Sequence, residues 1–117
     1  AWITMMQSEY ADWAYDLDRA PEFKGVWREK VFAAAADTKL DVEIGTGNGF
    51  FFAHRAKSYP ERNLIGLEVK FKPLVQSIRR ALRDGCKNAR SVRYNGRFID
   101  ELFVNGEVDD VFVHHPD

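Results

Sequence analysis

Leu40-Asp41-Val42-Glu43-Ile44-Gly45-Thr46-Gly47-Asn48-Gly49 decides how this chain folds. The first half reads as a short strand, apolar at 40, 42 and 44 in alternation with two acids. The second half is a glycine loop, with Gly45, Gly47 and Gly49. Glycine lets a backbone turn sharply and lets a ligand approach without meeting a Cβ. Phe50 to Ser58 then reads as a helix, which Tyr59-Pro60 ends.

The same alternation repeats toward the C-terminus. Asn63 to Val69 is predicted to be a second strand. Pro73 suits the first turn of a helix that continues through Leu74, Val75, Ile78, Ala81 and Leu82, and Gly85 stops it. Ala89 to Tyr94 reads as a third strand, Phe98 to Val104 as a short helix, Asn105-Gly106 as a turn and Asp110 to His114 as a fourth strand. Strand and helix in strict alternation predict an α/β fold, a parallel sheet of about four strands with crossover helices. In such sheets ligands bind beyond the carboxyl ends of the strands, near the point where strand order reverses. Gly45 to Gly49, Glu68, Asn95 and Asp117 all fall at those ends.

Residues 1–38 are expected to form an N-terminal helical segment, ahead of a ligand-binding domain over 39–117. Ser8 is placed to cap a helix through Tyr10, Trp13, Ala14 and Leu17, whose spacing shares one face. Pro21 interrupts the pattern, and a second helix is expected from about Glu22 to Ala36.

With 117 residues the chain is one domain at most, and its 45% hydrophobic content argues against disorder. Cys86 is the only cysteine, so no internal disulfide forms, and a lone thiol makes no zinc site. His114 and His115 are adjacent on a predicted strand and point to opposite faces, a poor metal pair. No metal is expected. No apolar run is long enough to span a membrane, and the N-terminus lacks the basic and apolar regions of a leader, so a cytoplasmic location is expected.

The formal net charge of −1 names no partner, but charge is unevenly spread. Nine basic residues lie between Lys70 and Arg97 against one acid, Asp84, while Phe98 to Asp117 holds six acids and no Lys or Arg. The run is either a positive surface or an ordinary solvated helix face.

The spacing of the glycines narrows the ligand. A dinucleotide fingerprint needs a glycine at position 50, which is Phe50 here. Glu43, two residues before the first glycine, adds negative charge where a pyrophosphate would sit. The pattern suits a cofactor carrying an ammonium or a sulfonium. Glu68 ends the second strand, where a carboxylate can accept hydrogen bonds from ribose hydroxyls, or stand solvated. Asn95 can meet an adenine edge, or serve only as a turn residue before Gly96. Asp117 faces the same mouth by position, although an acid in such a place is usually solvated.

These stretches resemble the bacterial tRNA (guanine-N7-)-methyltransferases, a branch of the Rossmann-like class I methyltransferases. The resemblance rests on Glu22-Phe23-Lys24-Gly25-Val26-Trp27-Arg28, Val42 to Gly49, Leu64-Ile65-Gly66-Leu67-Glu68-Val69 and Pro116-Asp117, in order over most of residues 7–117. It implies S-adenosyl-L-methionine as cofactor and S-adenosyl-L-homocysteine as product. Glu43, Gly45, Thr46, Gly47, Gly49, Glu68, Val69, Asn95 and Gly96 would line the cofactor. Asp117 would stand in the catalytic pocket, and the substrate would be a variable-loop guanine of tRNA. Lys70 and Lys72, just beyond Glu68, are candidates for RNA phosphates.

The family often has Asp-Ala where this chain has Asn95-Gly96, and an aromatic or aliphatic pair in place of His114-His115. It also continues past the acid with Pro-Trp and a basic stretch. An apolar fourth strand on an open edge would be a pairing hazard, so further strands are expected beside it. Two alternatives stay open: another Rossmann-like methyltransferase with a different RNA base, DNA or small-molecule substrate, or a non-catalytic cofactor-binding fragment. Monomer and homodimer are both compatible with the sequence.

Overall fold

The computed structural model describes residues 2–113, so the positions of His114, His115 and Asp117 lie outside the described residues. Five parallel strands form one sheet: β1 (Ala14–Tyr15), β2 (Leu40–Ile44), β3 (Asn63–Leu67), β4 (Ala89–Val92) and β5 (Asp110–Val113). Their spatial order is β1-β4-β3-β2-β5. From β2 the chain steps outward through β3 to β4, then returns to place β5 on the other side of β2. Strand order therefore reverses beside β2, and the glycine loop leaves from the carboxyl end of that strand.

Strand alternation sends Leu40 and Val42 to one face, and Asp41 and Glu43 to the other. The first face joins Ile65, Leu67 and Val92 in a core closed by Tyr15, Trp27, Leu102 and Phe103. Trp27 is fully buried, and its indole N–H donates to the Leu102 carbonyl at 2.7 Å, which satisfies the one polar atom of a large apolar ring. The second face carries the helices α1 (Trp2–Gln7), α2 (Phe50–Ser58) and α3 (Phe71–Arg83). In α3 Leu74, Val75, Ile78 and Ala81 recur at helical spacing and are all buried, packing on α1 and the sheet. Pro73 lies in the first turn, where no intrahelical bond from its nitrogen is needed.

The N-terminal third departs from the helices expected of it. Ser8 caps nothing: its hydroxyl donates back to the Thr4 carbonyl at 2.7 Å. Ala14 and Tyr15 extend as a strand instead, because the amides of Ser91 and Arg93 donate to the carbonyls of Trp13 and Tyr15 at 2.7 and 2.8 Å. Asp16 then accepts from the amides of Asp18 and Arg19 and turns the chain away. The sheet thus reaches back across the boundary expected at residue 38.

The second expected helix is split into a 3-10 turn, Ala20–Phe23, and a π-helical turn, Trp27–Val31. Gly25 breaks it with φ of 85°. The buried Glu107 carboxylate accepts from the amides of Gly25 and Val104, both at 2.9 Å, and from Trp27 at 3.4 Å. Three backbone donors on one carboxylate hold the break open. The helix expected over 98–104 is a 3-10 segment at Gly96–Glu101.

Candidate functional site

Among the described residues, Gly45 to Gly49, Glu68 and Asn95 follow the carboxyl ends of β2, β3 and β4 and form one rim, whereas Asp117 lies outside the described residues. Gly45, Gly47 and Gly49 have φ of 76°, 56° and 85°, a left-handed conformation that side chains rarely adopt. Glu68 at the end of β3 organises this loop. One carboxylate oxygen accepts from the Gly47 amide at 3.0 Å and the other from the Lys70 amide at 3.1 Å. Each oxygen keeps a second acceptor direction for a ligand hydroxyl.

Glu43 is the electrostatic anomaly of the rim. Its side chain is 1% exposed, and Oε1 has no hydrogen-bond partner among the described residues. Burial, and then the negative charge of Glu68, push its pKa up to about 8. Glu43 and Glu68 therefore stand close enough to repel. A buried, unsatisfied acid costs stability, and functional sites are where such costs concentrate. A ligand cation would relieve both the missing partner and the repulsion.

The third glycine has a different task from the first two. A Cβ on Gly49 would lie 2.6 Å from the Ser77 Cα, so this residue lets α2 begin hard against α3. Thr46 is also committed to packing: it is buried, and its hydroxyl is 3.2 Å from that of Ser77. Ser77 was not singled out in the sequence, although a hydroxyl in the apolar stripe of α3 is a visible signal. Gly49→Ala is expected to destabilise the fold by about 2–4 kcal/mol, from backbone strain and overpacking together. Urea unfolding at pH 7 checks this, and a midpoint equal to the parent's would contradict the packing role.

The other expected residues among those described fall around the same rim. Asn95 is exposed, and its side-chain oxygen accepts from the Arg97 amide at 2.9 Å, so it caps the 3-10 segment. Gly96 admits the Ile44 side chain, whose Cγ2 would sit 2.5 Å from an added Cβ. Val69 is 46% exposed, an apolar side chain left open beside Glu68. Lys70 and Lys72 are exposed around the start of α3.

The basic run does not form one surface. Arg79 donates to the Tyr10 hydroxyl, Arg90 is sandwiched near Trp13 and Phe32, and Arg93 lies over Phe71. Arg80 donates to the Asn48 carbonyl at 2.7 Å and so braces the glycine loop from outside. Among the described residues no cluster of three His, Cys, Asp or Glu could hold a metal, and no helix is long and apolar enough to cross a membrane.

Comparison with known proteins agrees with this geometry. A family profile described as "Putative methyltransferase" matches residues 37–117. A tRNA (guanine-N(7)-)-methyltransferase of Bdellovibrio bacteriovorus is 55% identical over 96% of this chain and 54% of its own length. The enzyme of that name from Listeria monocytogenes is 33% identical over 96% of this chain and 55% of its own. The chain thus spans about half the length of these curated relatives. A solved structure titled as a putative methyltransferase from Thermoplasma acidophilum superposes with a TM-score of 0.56, covering 90% of this chain and 46% of that one. At 15% identity that likeness speaks for the fold alone. Sheet order and profile agree, and the chain belongs to this methyltransferase family.

Proposed function

We propose that the protein containing this chain methylates N7 of a guanine in the tRNA variable loop, and that this chain supplies the cradle for S-adenosylmethionine. The carrying observation is the buried Glu43 carboxylate, unpartnered at Oε1 and crowded by Glu68 at the switch point of the sheet. This donor set fits a cofactor that bears cations at one end and ribose hydroxyls in the middle. Glu43 would hold the cationic end, the backbone of Gly45 to Gly47 would lie against it, and Glu68 would accept from the ribose. Val69, Asn95 and Gly96 would border the adenine. The relatives' names support tRNA as the substrate.

S-adenosylmethionine supplies a methyl carbon on a cationic sulfur. Guanine N7 carries a free lone pair, so no base is needed before attack. The protein's work is to align nucleophile, carbon and sulfur in one line. Positive charge grows on the purine as N7 is methylated. Asp117 is proposed to orient the guanine and to stabilise that charge, an interaction stronger in the transition state than before it.

The test is methyl transfer by the full-length protein to unmodified tRNA, with the modified base mapped by reduction and aniline cleavage. Cleavage at a variable-loop guanine is the expected result. Methylation at another base, or of DNA only, would overturn the reading. Lys70→Ala and Lys72→Ala are each expected to weaken tRNA binding and to reduce the salt slope by about one. Unchanged binding in both would remove them from the RNA surface.

A further inference from the structure

Outside the rim, the outer faces of α2 and α3 enclose a groove of about 290 Å³. It is lined by Phe50, His54 and Lys57 from α2 and by Arg80, Arg83 and Asp84 at the end of α3. Phe50 opens α2 directly after the glycine loop, so the groove starts at the rim. From there to Lys57 it runs about 10 Å down the helix layer.

Two features distinguish this groove from an ordinary solvated helix face. Phe50 is 61% exposed, a large aromatic residue mostly open to solvent. The Arg80 guanidinium lies over that ring, 3.7 Å from its centroid, and its bond to the Asn48 carbonyl fixes it there. The pair is a pre-ordered stack, with the guanidinium on one face of the ring. Lys57 and Arg83 stand further along the groove, and neither forms an ion pair with another described residue. Asp84 is the single acid of the lining.

We infer that the α2–α3 groove carries an RNA strand adjoining the target nucleotide, with a base stacked at Phe50 and Arg80 and phosphates near Lys57 and Arg83. A stacking platform followed by cations is the general arrangement by which proteins hold single-stranded nucleic acid. Arg suits it because its planar cation can stack and pair with phosphate together. Apart from Phe50 and Ala53 the lining is polar or charged, which disfavours the apolar face of a protein helix. The proposal rests on the tRNA reading above and assigns a second contact surface to that substrate.

The experiment uses the full-length protein and labelled unmodified tRNA, read by fluorescence anisotropy across a salt series. A Lys57→Glu/Arg83→Glu double variant is expected to weaken binding by on the order of tenfold or more, with a shallower salt dependence. Phe50→Ala is expected to weaken it about fivefold to a hundredfold while keeping the salt slope, and Phe50→Tyr to restore it. S-adenosylmethionine affinity of the double variant, measured by calorimetry, should match the parent and shows that the fold is intact. If the parent binds tRNA and both groove variants bind it equally well, the groove assignment is overturned and the tRNA reading stands. If the parent binds no tRNA, both fall.

Discussion

Glu43→Gln is expected to lose S-adenosylmethionine binding by about 2–5 kcal/mol, roughly 30-fold to a few thousandfold in Kd, and yet to melt at a higher temperature than the parent above neutral pH. Both effects come from one buried group. In an unfolded chain a glutamate ionises near 4.5, whereas here Glu43 does so only near 8. Between these values the folded protein holds a proton that the unfolded chain has released. Stability therefore falls as pH rises through that window, and the full loss is in force above about 8. The amide has nothing to titrate. The variant and parent should converge in stability below pH 4.5 and diverge by several degrees at pH 9.

The same linkage gives the cofactor a pH dependence. A ligand cation requires the ionised acid, so binding near pH 7 must expel a proton. Affinity is expected to rise with pH by up to about tenfold per unit and to level off near 8. Calorimetry in buffers of different ionisation enthalpy would count the proton. If Glu43→Gln binds the cofactor as the parent does, the assignment of Glu43 is sunk, and a flat pH profile would do the same.

The second large effect lies at the opposite end of β2. Asp41 is 1% exposed and takes both nitrogens of the Arg62 fork, Nε at 2.8 Å and Nη2 at 2.6 Å, together with Arg55 Nη2 at 3.1 Å. These arginines come from α2 and from the turn before β3, so one carboxylate ties three consecutive elements together. Asp41→Ala is expected to cost about 3–5 kcal/mol, because two partly buried guanidinium groups lose their partner. Asp110 also pairs with Arg62, at 2.7 Å, but its side chain is 54% exposed. Asp110→Ala should cost no more than about 1 kcal/mol. Urea midpoints of the two variants make the comparison, and equal losses would show that burial does not govern this network.

Where the local pattern was strong, the structure follows it closely. The strand at Leu40–Ile44 and the helix at Phe50–Ser58 have the expected bounds, because glycine and proline punctuate both. The two acids and the glycines of the rim were legible for the same reason: residue type and distance from a strand end specify them. The N-terminal third was not legible. Tyr10, Trp13, Ala14 and Leu17 have helical spacing, but Leu17 is 48% exposed and Ala14 lies in the sheet. What overrides the helix at Gly25 is Glu107, 82 positions later, and no window along the chain contains both. The role of Gly49 was likewise hidden, since its tight neighbour is Ser77 on another helix.

The short strand β1 has a kinetic consequence. It pairs with β4 across most of the length of the chain, through two residues only. Ordering so long an intervening segment is entropically expensive, and two residue pairs return little for it. The contiguous β2–β3–β4 ladder should therefore assemble first, and the leading segment should dock late. In native-state hydrogen exchange, the Ser91 and Arg93 amides should open by local undocking, earlier than those buried between β2 and β3.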